Sequence, residues 1–229
     1  MKKNVKVMKD NSIISSRDRI LDAAEMLFCR FGFYGASTRD IAKAAGVGLG
    51  VSTYHFGTKE ELFRNVIGRR AEEHLRNLNE ALDNAISSAG SKPPPAESII
   101  RAFVEPLTLK SLNGGAGWKN YIKLLSQSMN TSQVEEFLKP VVEIYQPLIN
   151  RYIAEFKRIF PASSAENINL SFYFLQASVI HILSETGTLD RQSDGLCRAG
   201  DFETITEAMV PFFSAGFHRL VDRPATSKG

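Results

Sequence analysis

Residues 37–62 carry two helix-start signals with a glycine break between them, a spacing that allows only short helices joined by tight turns. Ser37 offers a side-chain acceptor for a free backbone N–H, and Asp40 puts an acidic group in the first turn. Ile41, Ala42 and Ala45 form the buried side of this helix, which Gly46 ends. A shorter segment over 48–55 then precedes a capping box at Thr58 and Glu61. Two short helices about a glycine-containing turn make a helix-turn-helix unit. Upstream, Ile20, Ala24, Leu27 and Phe31 recur at spacings of four, three and four, with Leu21 and Phe28 alongside, so an amphipathic first helix begins near Arg17 and ends at Gly32 and Gly35.

Downstream, Leu62, Val66, Leu75, Leu78, Leu82 and Ile86 keep a helical rhythm without proline, which predicts one uninterrupted fourth helix over 58–88, long enough to link two domains. Three consecutive prolines at 93–95 end it in a linker. Further helices are expected over 97–112, 118–129, 132–160, 165–186 and 202–221, with Pro140 and Pro147 bending or splitting the third. No strand-like alternation, internal repeat or low-complexity tract stands out. The expected fold is all-α: a three-helix helix-turn-helix domain over 17–62 and a larger helical domain over 63–222. An arm over 1–16, basic through Lys2, Lys3, Lys6 and Lys9, and a tail over 223–229 flank them. The arm is either inert or a phosphate contact.

Charge sharpens this division. The whole chain is nearly balanced, with 28 basic and 25 acidic residues, yet residues 1–70 hold 13 Lys/Arg against 7 Asp/Glu. Positive charge gathered in the first third suits a nucleic-acid face, or else marks a basic solvated surface. Cys29 and Cys197 are the only thiols, so a disulfide framework is not expected and a reducing cytoplasm fits. No apolar run reaches membrane-span length and the first 16 residues lack the apolar segment of a signal peptide, so no membrane partner is expected. There is no glycine-rich phosphate loop, metal-ligand spacing, nucleophile elbow or evident carboxylate pair. Glu60 and Glu61 read as helix-start residues. No catalytic residue, cofactor or metal is expected, which makes a helical enzyme the weaker alternative.

The stretch TRDIAKAAGVGLGVSTYHFGTKEEL, with ILDAAEMLFCRFGFYGAST before it, resembles the DNA-binding signature of the TetR family over about 50 residues. The resemblance implies a homodimeric transcription regulator, usually a repressor, whose short third helix reads base edges of double-stranded operator DNA. Physically, a recognition helix must be slim to enter a groove about 12 Å wide, and Gly48, Gly50, Val51, Ser52 and Thr53 supply small side chains. Tyr54 and His55 at its end, Lys59 at the next helix start, and Thr38 and Arg39 at the second helix start are candidate phosphate contacts. Phe56 is expected in the core, where Tyr54 could pack instead of touching phosphate, and His55 taken alone reads as a satisfied surface histidine. The chain departs from the family pattern at Gly48, which caps by conformation alone, and at Ser52 and Thr53, where an apolar residue and an aromatic are frequent. Leu49 and Val51 face either thymine methyl groups or, for Val51, the core.

In that family the last two helices pair with the partner protomer. Here Phe174, Ala177, Ser178 and His181 on one helix and Met209, Phe212, Phe213 and Phe217 on the last are the candidate seam, or equally the domain's own core. His181 reads as a buried hydrogen-bonded histidine, with a pH or metal role as the alternative. The family's effector pocket lies among the middle helices, where Phe103, Leu107, Trp118, Tyr121, Leu125, Met129, Tyr145, Tyr152 and Phe174 supply apolar walls for an apolar effector. The segments FLKPVVEIYQPLINRYIAEFKRIFP and MVPFFSAGFHRL are similar to fatty-acid-responsive members, implying an acyl effector. Effector binding is expected to swing the reading heads out of register through the long fourth helix. The remaining alternative is a ligand-independent architectural DNA-binding protein.

Overall fold

A computed structural model describes residues 15–129, 135–184 and 187–221, and the described residues form twelve helices and no strand. Residues 1–14 of the expected arm and the whole expected tail over 223–229 lie outside the described residues, whereas Ser15 and Ser16, expected in the arm, cap and open the first helix.

The first helix, α1 (Ser16–Gly35), starts at Ser15, whose Oγ accepts from the Asp18 N–H. It buries Ile20, Leu21, Ala24 and Phe28, while Phe31 stays half-exposed because the chain kinks at Gly32 (φ 71°, ψ 175°). Such a positive φ favours glycine. Helix α2 (Thr38–Ala44) opens with the Ser37–Asp40 cap, and α3 (Leu49–Phe56) follows the left-handed Gly46. Helix α4 (Lys59–Gly68) carries the full capping box between Thr58 and Glu61, which satisfies two otherwise orphaned N–H groups.

The expected uninterrupted fourth helix is broken. Arg70 leaves helical values (φ −111°, ψ 0°), and α5 (Ala71–Ser88) begins beyond it. The apolar rhythm ran through both segments because Val66 and Ile67 on one and Ala71, His74, Leu78 and Leu82 on the other all face the core. What the rhythm did not register was that Arg69 and Arg70 are each drawn to an acidic residue of α1.

Beyond Pro93 to Pro95 come α6 (Ala96–Asn113), α7 (Gly115–Met129), α8 (Glu135–Glu143) and α9 (Gln146–Ile159). The expected 132–160 helix is thus split, with Pro147 in the first turn of α9, where its missing N–H costs nothing. Helix α10 (Ala165–Leu183), the unanticipated one-turn α11 (Thr188–Gln192) and α12 (Phe202–Val221) complete the chain. Helix α6 is central and packs on α5, α7 and α12, while α7 also packs on α1 and α10. The Tyr152 hydroxyl lies 2.9 Å from the Ala102 carbonyl and 3.2 Å from that of Leu78, joining α9 to α6 and α5.

Candidate nucleic-acid interface and internal cavity

Helix α3 is held by its inner side, where Ser52 and Phe56 are buried, and Arg17 lies over the Phe56 ring at 5.3 Å. A small Ser52 suits the close seat of this short helix. Its outer side presents Leu49, Val51 and Tyr54, the last 86% exposed, so Val51 belongs to the surface and not the core. A Cβ at Gly48 or Gly50 would meet nothing within 4 Å, so the fold itself makes no demand for glycine there. The effect is to leave the start of α3 slim. Gly48 caps without a side-chain bond, and the Thr53 hydroxyl is turned back onto the Leu49 carbonyl at 3.2 Å.

At the far end of α3, His55 is half-buried with Nε2 3.1 Å from the Ser16 hydroxyl, a partner in the first turn of α1 that the helix-turn-helix pattern did not reveal. Lys59 sits with its ammonium 4.6 Å from the Phe33 ring centre, and partial burial lowers its pKa. The aromatic face orients the cation. Thr38 and exposed Arg39 stand at the start of α2, beside the N-terminal turn.

The junction of α4 and α5 ties this unit to the rest of the chain. Arg69 pairs with Asp22 at 2.5 Å, and the Arg70 Nε lies 3.5 Å from Oε2 of Glu25. Glu25 is 3% exposed, and burial raises its pKa although Arg70 and Arg69 oppose the shift. Arg70 also lies over the Trp118 ring at 5.3 Å, as does the Lys110 ammonium at 4.6 Å. A Cβ at Gly117 would come within 2.5 Å of the Arg70 guanidinium, so glycine lets that group approach α7.

A cavity of about 260 Å³ lies among α5, α6, α7, α9 and α10. Of the nine anticipated pocket residues, Phe103, Leu107, Leu125, Met129 and Tyr145 line it. Tyr121 stands behind the wall, its hydroxyl 3.2 Å from that of Tyr145. Trp118, Tyr152 and Phe174 lie elsewhere: Trp118 under its two cations, Tyr152 stacked on Phe172 with its hydroxyl spent on carbonyls, and Phe174 half-exposed on the outer side of α10. Aromatic residues at helical spacing serve walls, cores and surfaces alike, and periodicity does not tell these apart.

The sequence reading missed His74, Gln146 and Gln176 in the wall. His74 occupies the same register as Ala71, Leu78 and Leu82, and a lone polar residue at a core register of α5 is a signal that could have flagged it. Its Nδ1 lies 2.9 Å from the Tyr145 hydroxyl, and its Nε2 is buried without a partner among the described residues. Burial, aided by the positive charge of Lys110, lowers its pKa to about 4. Burial likewise pushes Tyr145 up to about 12.

The outer sides of α10 and α12 form an apolar face. Phe212 is 73% exposed, Phe174, Ala177 and His181 are also exposed, and Ser178 and Phe213 are half-buried. His181 is therefore a surface residue and not the buried one expected. Met209 and Phe217 point inward, with Phe217 stacked on Phe156 at 4.2 Å between ring centres. Two solvent-open concavities of about 650 and 630 Å³ flank Phe212 and Phe213. No group of three metal-ligating side chains occurs among the described residues, and none of their helices is long and apolar enough to cross a membrane.

Comparison with known proteins places these features in a family. Residues 20–66 match the family model of bacterial regulatory proteins, tetR family, and residues 101–216 match a tetracyclin repressor-like C-terminal domain. The probable HTH-type transcriptional regulator YttP of Bacillus subtilis (strain 168) is 35% identical over 71 residues, 31% of this chain and 34% of that protein. The HTH-type transcriptional regulator UidR of Escherichia coli (strain K12) is 34% identical over 124 residues, 54% of this chain and 57% of its own length. Both matches therefore span less than two thirds of the relative. Among solved structures, FadR from Bacillus subtilis in complex with stearoyl-CoA shares the fold, with a TM-score of 0.61 at 13% identity over 86% of this chain and 97% of that one.

Proposed function

This chain belongs to the TetR family of bacterial transcriptional regulators, DNA-binding proteins and not enzymes, and from that premise we propose that it is a homodimeric, effector-released repressor acting on operator DNA in the cytoplasm. In this reading residues 17–62 are the reading head and residues 63–222 the effector and dimerisation domain.

The observation that carries the proposal is the outer side of α3: an unobstructed start at Gly48 and Gly50, exposed Leu49, Val51 and Tyr54, and two orientated basic groups, His55 and Lys59, at its end. Small and apolar groups suit base edges and thymine methyls, and Tyr54, His55, Lys59, Thr38 and Arg39 suit phosphate oxygens. The partner that covers the apolar face of α10 and α12 is a second copy, with Phe174, Ala177, Ser178, His181, Phe212 and Phe213 at the seam. Phe212 and Phe174 are large apolar side chains that a monomer would leave in water.

The effector is an apolar small molecule held in the cavity on α5, α6, α7, α9 and α10. An acyl effector is one candidate, supported by the sequence similarity of the C-terminal segments to fatty-acid-responsive members. An occupant that moves α7 acts on α1, which packs against it, and on Arg70, so the heads rotate about the break between α4 and α5.

Selection of duplexes from a random library by the full-length protein tests this. The expected product is a palindrome whose half-sites are about one helical turn apart, bound more weakly as salt rises. Enrichment of no sequence, or binding by a monomer, would overturn the proposal.

A further inference from the structure

The cavity wall says what kind of molecule it takes. Tyr121, Tyr145 and His74 form a chain of polar atoms, with hydroxyl to hydroxyl 3.2 Å and hydroxyl to Nδ1 2.9 Å. Run in one direction, Tyr121 donates to Tyr145 and Tyr145 donates to Nδ1, and both phenol protons are used. Run in the other, Nδ1–H donates to Tyr145 and Tyr145 to Tyr121, whose own proton then has no partner in the chain. The first direction makes Nδ1 an acceptor, so a neutral imidazole carries its proton on Nε2. That N–H is buried and unpartnered among the described residues, on a ring that belongs to the cavity wall, and an occupant reaches it by a shift of the neighbouring wall side chains. A buried donor without an acceptor is costly and is expected to find one in an occupant.

The rest of the wall limits what brings that acceptor. Among the described residues no Lys, Arg, Asp or Glu lines the cavity, and its polar members are amides, hydroxyls and the one imidazole. Burial holds His74 neutral at ordinary pH. A carboxylate entering here would lose its hydration and meet no counter-charge. The volume of about 260 Å³ lies just below the roughly 300–1,000 Å³ usual for small-molecule sites, which suits a compact molecule.

We propose that the effector of this cavity is an uncharged, compact, mostly apolar molecule bearing one hydrogen-bond-accepting oxygen, such as a ketone or ester carbonyl, received by Nε2–H of His74. This rests on the reading of the cavity as the effector site.

The test uses full-length protein and three probes on one phenyl-plus-three-carbon skeleton: propiophenone, propylbenzene and 3-phenylpropanoate, titrated calorimetrically at pH 7.5. Propiophenone is expected to bind on the order of tenfold more tightly than propylbenzene, as a single hydrogen bond to a buried donor implies, and the carboxylate most weakly. In His74→Phe the preference for the ketone over the hydrocarbon should vanish. Equal wild-type affinities for ketone and hydrocarbon, preference for the carboxylate, or no binding of the ketone at millimolar concentration would each overturn the assignment, whether or not the variant folds. Leu125→Trp, which fills the cavity, separates this from the effector reading. Binding that survives the filling places the site elsewhere and sinks the reading of the cavity, whereas binding abolished by it but favouring the carboxylate sinks only the chemical class.

Discussion

Replacing Arg70 with methionine should destabilise the protein in a way that depends on pH. The Glu25 carboxylate is 3% exposed and Arg70 is its paired base, so the variant strands a buried charge. Breaking a buried ion pair by removing one partner costs about 3–5 kcal/mol. Here the guanidinium side chain is 22% exposed and sits 3.5 Å from the carboxylate oxygen, longer than a good hydrogen bond. Solvent screening therefore brings the expectation down to about 2–3 kcal/mol. Methionine keeps much of the apolar stem over Trp118, so little of the loss should come from packing.

The sign of the pH effect follows from the direction of the Glu25 shift. Burial raises its folded pKa above the ordinary 4.5, so between the two values the folded protein binds the extra proton, and stability falls as pH rises through that window. Arg70 opposes the shift, and without it the folded pKa climbs further. The deficit of Arg70→Met relative to wild type should be full above that raised pKa and shrink as pH falls below it. Urea unfolding at pH 7.5 and pH 5, followed by far-UV circular dichroism, measures this directly. Glu25→Gln combined with Arg70→Met should recover all but about 1 kcal/mol, because neither charge is then left alone. An equal deficit at both pH values with no recovery in the double variant would show that the pair is not what holds the junction.

Three further outcomes are expected. Lys59→Ala should weaken operator binding and flatten the slope of log affinity against log salt by about 1, read by fluorescence anisotropy across a salt series; an unchanged slope would remove Lys59 from the phosphate contacts. Phe212→Asp places a charge at a residue that is 73% exposed on the monomer, and should shift sedimentation toward a single protomer while leaving helix content intact; a retained dimer would move the seam elsewhere. Gly114→Ala brings a methyl within 2.5 Å of the Trp118 Cβ and 2.6 Å of the Lys110 carbonyl, and overpacking of this kind should cost about 1–3 kcal/mol in urea unfolding.

Helix by helix, the parts legible from sequence were those with local causes. The caps at Ser37, Thr58 and Glu61 lie within four residues of what they bond, and α12 spans 202–221 as its periodicity predicts. The break at Arg70 was hidden because its cause is non-local: its carboxylate partner lies 45 positions upstream. The same holds for the site. Tyr54 and the slim start of α3 could be placed from neighbours alone, whereas Trp118, Tyr152 and Phe174 share composition with true wall residues and differ only in what faces them. The register of His74 among the leucines of α5 marked it as a polar residue to be accounted for, but the partner that holds it, Tyr145, lies 71 residues away.

On the proposed reading, the break between α4 and α5 also bounds how strongly an effector in the cavity would act on the helix-turn-helix unit. Tyr121 and Trp118 stand one turn apart on α7, Arg70 covers Trp118, and Glu25 belongs to α1, so contact is continuous from the cavity wall to the head. Allosteric coupling is commonly about 1–3 kcal/mol. The pair of Arg69 with half-exposed Asp22 is worth at most about 1 kcal/mol after screening, so it does not carry such a coupling alone. The larger share has to pass through the packing of α7 on α1 and the buried Glu25. Loss of Arg69 should then tune the response to an effector, while disruption of the α1 and α7 contact should abolish it.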